Sequence, residues 1–232
     1  MQGILLVDKP VGWTSFDVVN YVRKIVAAAE NQRPKQIKVG HSGTLDPFAT
    51  GLLILLIGKA YTRQAAVFSK LDKTYEVTMK LGSTSSTGDP EGALTAVNKR
   101  VPNEAEIRTV LDKFMGEIEQ TPPIYSAIKV GGQRAYKLAR AGKPIKMEPR
   151  QVTINRLELT GYNYPEVQLS ADVSSGTYIR SLVEDLGAQL GTGAYTTALR
   201  RTKIDKYPID QAQQLDGLDI EKISKYFYNS ST

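Results

Sequence analysis

Six consecutive apolar residues, Leu52 to Ile57, closed by Gly51 and Gly58, form the longest apolar run in the chain. Six residues fall far short of the ~20 that a membrane-crossing helix needs, so the run predicts a buried strand. A second short apolar run, Ile4 to Val7, ends at Asp8-Lys9-Pro10-Val11-Gly12 and predicts another strand entering a turn. Thr14, with Asp17 three residues on, caps a helix whose Val18, Val22 and Ile25 recur at helical spacing. Residues 27–40 are polar and basic and are expected to form an exposed connection.

Further along, Tyr75, Val77, Met79 and Leu81 alternate with polar residues, the period of a strand with one buried face. Gly82 to Gly92 carries Gly, Ser, Thr and Asp-Pro and is expected to be a surface loop. Asn103 and Glu106 cap a helix with an apolar stripe at Ile107, Val110, Leu111 and Phe114. Val167 to Val173 alternates as another strand, and Ser174 to Thr177 turns it into a helix with its stripe at Ile179, Leu182, Val183, Leu186 and Leu190. Arg180 falls in the first turn of that helix, beside the stripe. Tyr195 to Thr202 reads as one more strand, and Pro208 to Thr232 as a short helix or two and a polar tail. Strands and helices mix without a regular βαβ rhythm, which predicts α+β with a mixed, mostly antiparallel sheet. No linker divides the chain, so residues 1–232 are read as one domain.

With no cysteine and one histidine, disulfides, zinc fingers, iron–sulfur clusters and His-rich metal sites are excluded. Any chemistry must rest on carboxylate, hydroxyl, amine or guanidinium groups. The N-terminus carries no basic secretory signal, and Asp8 interrupts its apolar stretch, so the chain is read as cytoplasmic. The formal charge of +6 is unevenly spread. Lys129, Arg134, Lys137, Arg140, Lys143, Lys146 and Arg150 face only Glu148 within residues 129–150, a local excess equal to that of the whole chain. Such a stretch suits a polyanion or forms a solvated helix face.

Residues 40–51 read Gly-His-Ser-Gly-Thr-Leu-Asp-Pro-Phe-Ala-Thr-Gly, a concentration of glycines, hydroxyls and one carboxylate directly before the buried strand. On composition alone Asp46 caps a helix or accepts backbone N–H groups ahead of Pro47, and His41 is a structural histidine. By the same reasoning Tyr75 is a core aromatic, and Arg180 pairs with Glu184 one turn along its helix. Two chance matches fail. Gly58-Lys59 lacks the spacing of a phosphate-binding loop, and Ser42 beside His41 lacks the nucleophile elbow of a hydrolase.

The segment 40–51 resembles the catalytic motif G-H-x-G-x-L-D-P-x-A-x-G of TruB-type pseudouridine synthases. Other motifs of that family follow in order: Asp8-Lys9-Pro10-Val11-Gly12-Trp13-Thr14-Ser15, Lys73-Thr74-Tyr75, Gly176-Thr177-Tyr178-Ile179-Arg180 and Leu199-Arg200-Arg201-Thr202. Residues 122–140 resemble the family's RNA-contacting insertion, so an insertion over about 121–150 is expected. The resemblance covers about residues 3–206.

It implies the pseudouridine synthase fold and a cofactor-free, metal-free isomerisation of the T-loop uridine at position 55 of tRNA. Asp46 would be the essential carboxylate, acting as a nucleophile at a sugar or base carbon or as a base on a ribose proton. Arg180 matches the family's aspartate-pairing arginine, and Tyr75 the tyrosine that stacks on the target base. The resemblance places His41 near the flipped-out nucleotide and makes Leu199 an apolar wall for the base. Lys9 would support the catalytic loop, and Lys73 and Tyr178 belong to the same substrate-side motifs. Lys129, Arg134 and Arg140 would follow the phosphate backbone of the tRNA T-arm. A monomer is expected. The alternatives are a non-catalytic RNA binder or tRNA chaperone on the same fold, and pseudouridylation of a different RNA. Too little chain follows Thr202 for the C-terminal RNA-binding domain that many members carry, which predicts weaker binding, greater reliance on the insertion, or a relaxed choice of RNA. Residues 58–63 carry one residue more than the family's pattern.

Overall fold

The computed structural model describes residues 1–221 and 223–228. In chain order the first elements are β1 (Gly3–Lys9), α1 (Ser15–Ala29), β2 (Val39–His41), β3 (Thr50–Ile57), α2 (Lys59–Thr62) and α3 (Ala65–Ser69). They are followed by β4 (Lys73–Leu81), β5 (Ser83–Ser85), β6 (Leu94–Ala96), α4 (Glu104–Asp112) and β7 (Gly116–Gln120). Next come β8 (Lys129–Val130), β9 (Gln133–Arg134), α5 (Ala135–Arg140), β10 (Arg150–Asn163), β11 (Glu166–Val173) and α6 (Ile179–Gln189). The chain closes with β12 (Ala194–Ile204), β13 (Tyr207–Pro208), β14 (Gln213–Gln214) and β15 (Phe227–Tyr228). The fold is α+β. The pairings β1·β3, β2·β3, β1·β15, β7·β10, β10·β11 and β12·β13 are antiparallel, whereas β1·β14 and β3·β12 are parallel.

Two compact units are present, one of Met1–Lys73 with the described residues from Arg200 onward, the other of Thr74–Leu199. In the first, the strand order is β14-β1-β3-β12. Strand β3 is buried on both faces, which explains its unbroken apolar run. Leu53, Leu55 and Ile57 pack with Leu5 and Val7 against Val18, Val22 and Val26 of α1, while Leu52, Ile54 and Leu56 pack with Ile4 and Leu6 against Phe68, Ile204 and Tyr207. Each such side chain withdrawn from water contributes about 2 kcal/mol. Helix α1 begins with the expected capping box: the Thr14 hydroxyl accepts from the Asp17 N–H, and the Asp17 carboxylate accepts from the Thr14 N–H.

In the second unit the order is β12-β4-β11-β10-β7. The alternation expected of β4 and β11 is present, with Tyr75, Val77, Met79 and Leu81 buried on the one and Val167, Leu169, Ala171 and Val173 on the other. Asn103 and Glu106 form the capping box of α4.

Several expectations need correction. Residues 27–40 are not simply an exposed connection, because α1 runs to Ala29, a 3-10 turn covers Pro34–Gln36 and β2 starts at Val39. Gly82 to Gly92 is no plain surface loop: β5 pairs with β6, and Ser85 and Asp89 are buried. Among its described residues the tail from Pro208 contains 3-10 turns and short strands rather than α-helices, and Leu215, Leu218 and Ile223 join the core beneath α1. Its pieces are too short to repay helix nucleation, and β14 and β15 use the free backbone groups of β1 instead. Residues 222 and 229–232 lie outside the described part of the tail. Strands β7 and β10 were not legible as strands.

The burial of β3 and the cap of α1 give a graded stability test. Leu55→Ala should cost about 2–5 kcal/mol, and Thr14→Ala about 1 kcal/mol. Urea unfolding monitored by circular dichroism would measure both, with the midpoint shifts in that order.

Candidate active site

The loop carrying Asp46 is suspended between two strands that pair with each other, β2 and β3, so both its ends are fixed. His41 pairs with Leu55, and the Ser42 N–H donates to the Ile54 carbonyl at 3.1 Å. Inside the loop the Gly43 N–H donates to His41 Nδ1 at 3.3 Å. Ser15, at the start of α1, grips the residue before Asp46 twice: its Oγ accepts from the Leu45 N–H at 2.8 Å and donates to the Leu45 carbonyl at 3.2 Å. The Asp46 carbonyl accepts from the Ala49 N–H at 3.1 Å, and the Pro47 carbonyl from the Gly12 N–H at 2.8 Å. Asp46 itself is half-buried.

Three cations surround this loop. Lys9 is fully buried at the end of β1, and its Nζ donates to the carbonyls of Trp13 at 2.6 Å, Pro10 at 2.9 Å and Pro47 at 3.3 Å. Burial lowers its pKa to about 8, against the attraction of the Asp46 carboxylate, which favours the ammonium. That attraction is mutual, so Lys9 favours the charged form of Asp46. Arg201, 1% exposed, donates through Nε to the Leu52 carbonyl at 2.7 Å and through Nη2 to the Gly43 carbonyl at 3.3 Å. Lys73 donates to the carbonyls of Ser69 at 2.9 Å and Leu71, and its pKa is likewise lowered to about 8, by burial and by Arg201. Gly51 is required where β3 meets β12, since a Cβ there would lie 2.3 Å from the Arg201 carbonyl oxygen. Beside it, Arg200 grips both carboxylate oxygens of Asp8, at 2.7 and 3.1 Å.

The Thr74–Leu199 unit carries the remaining candidates. Tyr75 is buried on the inward side of β4, and Leu199 is buried in β12. Arg180 does not lie beside the buried stripe of α6, as its spacing suggested, but within the interior at 3% exposure. Its guanidinium donates to the carbonyls of Thr87 at 2.6 Å and Tyr125 at 2.7 Å and lies 3.2 Å from the Asp89 carboxylate. Asp89 is fixed in turn by the Thr87 hydroxyl and the Glu91 N–H. Glu184, the one-turn neighbour of Arg180, has its carboxyl pushed up by burial, with Arg180 opposing that shift. The Tyr178 backbone is read in both directions by the buried Gln120 side chain, at 2.8 and 3.1 Å, and Ser181 Oγ donates to the Thr121 carbonyl. The first turn of α6 therefore anchors the root of the basic insertion. Within that insertion β8 and β9 form a hairpin turned by Gly131-Gly132, both at positive φ, followed by α5. Lys129, Arg134 and Arg140 are exposed there, and the Arg140 guanidinium sits 5.8 Å from the Tyr136 ring centre.

Sequence reasoning gave no role to Ser15, Asp89, Gln120 or Arg201. The motif strings contained Ser15 and Arg201, but nothing in spacing alone marks which motif residues grip a loop. Among the described residues no cluster of three or more His, Asp or Glu side chains could hold a metal ion. No helix among them is long and apolar enough to cross a membrane.

Comparison with known proteins bears on the family and the fold. The model of the TruB family pseudouridylate synthase N-terminal domain matches residues 30–179, and that of the tRNA pseudouridylate synthase B C-terminal domain matches residues 180–229. The chain is 45% identical over 219 residues to tRNA pseudouridine synthase B of Pseudomonas fluorescens strain Pf0-1, covering 94% of this chain and 69% of that protein. It is 44% identical to the Aquifex aeolicus protein of the same name, covering 93% and 73%. Among solved structures, a Cbf5-Nop10-Gar1 complex superposes with a TM-score of 0.72 at 29% identity, covering 97% of this chain and 59% of the matched chain. The chain thus spans rather more than half of that structure's chain and over two thirds of those curated relatives. On sequence and fold together, the chain belongs to the TruB family of pseudouridylate synthases.

Proposed function

We propose that this protein is a tRNA pseudouridine synthase that isomerises uridine 55 of the T-loop. The observation that carries the reading is the Asp46 loop, held at both ends by paired strands and set among cations bonded mainly to neutral carbonyls. The reaction breaks the C1'–N1 bond of uridine, turns the detached uracil and joins C1' to C5; the C5 proton leaves to solvent and the freed N1 takes up a proton, so the product is an isomer of the substrate. No electrons are gained or lost. A fixed, ionised carboxylate serves this as a nucleophile or as a base, and the Lys9 ammonium supports it by favouring the charged form. Tyr75 takes the face of the base, Leu199 walls it, and His41 occupies space beside the flipped nucleotide. Arg180 supplies a fixed guanidinium. Extracting the uridine from its stack costs a few kcal/mol, offset by phosphate contacts from Lys129, Arg134 and Arg140 on the insertion, with the T-arm as the recognised element. Lys73 and Tyr178 complete the substrate side. The enzyme acts as a monomer in the cytoplasm.

Tritium release from tRNA transcripts labelled at uridine C5 tests the assignment. The native protein should release tritium, Asp46→Asn should release none while still binding RNA, and a transcript with cytidine at position 55 should be inert. RNA binding without release from the native protein would instead identify a non-catalytic RNA binder.

Lys9 gives a pH test with a definite sign. The unfolded chain keeps this proton to the ordinary value of 10.5, the folded chain only to about 8. The burial penalty is therefore present in full below about 8, and unfolding free energy rises between about 8 and 10.5 as the penalty is relieved. Over the same window the ammonium that braces Pro47 is lost, so turnover should fall as stability rises. Lys9→Met should show a smaller rise in denaturation midpoint over this range and a turnover already reduced at pH 7.

A further inference from the structure

A cavity of about 630 Å³ opens on the first unit, lined by Asn20, Arg23 and Lys24 of α1, by Lys35 and Lys38, and by Gly40 of β2. Four cations meet on one concave wall, and no acidic side chain lines it. The acids at the two ends of that helix are engaged elsewhere: Asp17, in its first turn, caps it with Thr14, and Glu30, directly after Ala29, pairs with the N-terminal amine. Like charges gathered in a concavity repel one another and raise the local concentration of anions. Lys24, Lys35 and Lys38 are exposed and bury no core. Arg23 is held in place, donating to Asn20 Oδ1 at 2.6 Å and to the Val39 carbonyl at 3.3 Å, which leaves three of its five N–H donors for a ligand.

One turn further toward the start of α1, Phe16 is 59% exposed, a large apolar ring left in water. Phe16, Asn20, Arg23 and Lys24 recur at the spacing of a single helix face. The Arg23 guanidinium sits 5.8 Å from the Phe16 ring centre, so aromatic and cation form one continuous strip that leads into the cavity. Fixed cations interleaved with an exposed aromatic are the elements by which proteins hold a nucleic-acid backbone and stack a base.

We propose that this strip and cavity form a second RNA-binding site, separate in sequence from the basic insertion, which takes backbone phosphates on Arg23, Lys24, Lys35 and Lys38 and a base or ribose on Phe16. The identity of the occupant as RNA rests on the function proposed above.

The test uses the full chain and an unmodified tRNA transcript, with binding measured by filter retention from 50 to 300 mM salt. The triple variant Lys24→Gln/Lys35→Gln/Lys38→Gln should lower the slope of log K against log salt by about 0.9 for each lost phosphate contact, and weaken binding about fivefold per contact near 0.15 M. Phe16→Ala should weaken binding about fivefold or more with the slope unchanged. A control that removes the same charge from exposed lysines outside the cavity, Lys99→Gln/Lys113→Gln/Lys203→Gln, should leave the slope close to native. Urea midpoints matching the native protein establish that each variant is folded. If the cavity triple and the control triple bind alike, the site is overturned, whatever the native protein's tritium release. If the cavity triple loses slope while the native protein releases no tritium, the site stands and the catalytic assignment fails.

Discussion

The double-sided burial of β3 is the constraint on which the first unit rests. Its odd-numbered side chains face α1 and its even-numbered ones face Phe68, Ile204 and Tyr207. A strand with no solvent face cannot slip by one residue without exchanging two tightly filled environments, so the register of β1, β2 and β12 against it is fixed. Gly51 extends that constraint to the site. Only a residue without a Cβ lets the Arg201 backbone approach so closely, and this approach brings the Arg201 side chain to the Gly43 carbonyl.

The electrostatics of the Asp46 loop follow from how its cations are satisfied. Lys9, Lys73 and Arg201 are all buried, and the hydrogen bonds that hold their head groups go to carbonyl oxygens. Carbonyl dipoles solvate a cation without cancelling its charge. Positive potential therefore remains around the loop, and burial lowers the pKa of both lysines. Asp46 is the acid that Lys9 feels most strongly. In the second unit the logic differs, because Arg180 is held by two carbonyls and by the carboxylate of Asp89. There the guanidinium works as a cross-link between the residues 85–89 turn and the root of the insertion.

Much of the scaffold was legible because its signals are local. The capping boxes at Thr14 and Asn103, the alternation of β4 and β11 and the stripe of α6 each follow from residues within one or two turns of each other. Strand β10 was missed for a physical reason: its pairing with β11 shifts between Ile154 and Arg156 and again between Leu159 and Gly161, so its apolar residues lose the period of two. The burial of Arg180 was misread because helical spacing counts apolar residues only. A guanidinium enters the interior when partners distant in sequence, here Thr87, Asp89 and Tyr125, are brought to it.

By itself the sequence determined the capped helices α1 and α4, helix α6, the strands β1, β3, β4, β11 and β12, the α+β class and the family, since these rest on short-range periodicity and on motif strings read in order. Which motif residues do mechanical work was decided only by tertiary structure. Ser15 gripping Leu45, Arg201 gripping Gly43 and Gln120 reading Tyr178 join residues 30, 158 and 58 positions apart. A buried polar group must find its partner wherever the fold brings one, and that choice leaves no trace in local spacing.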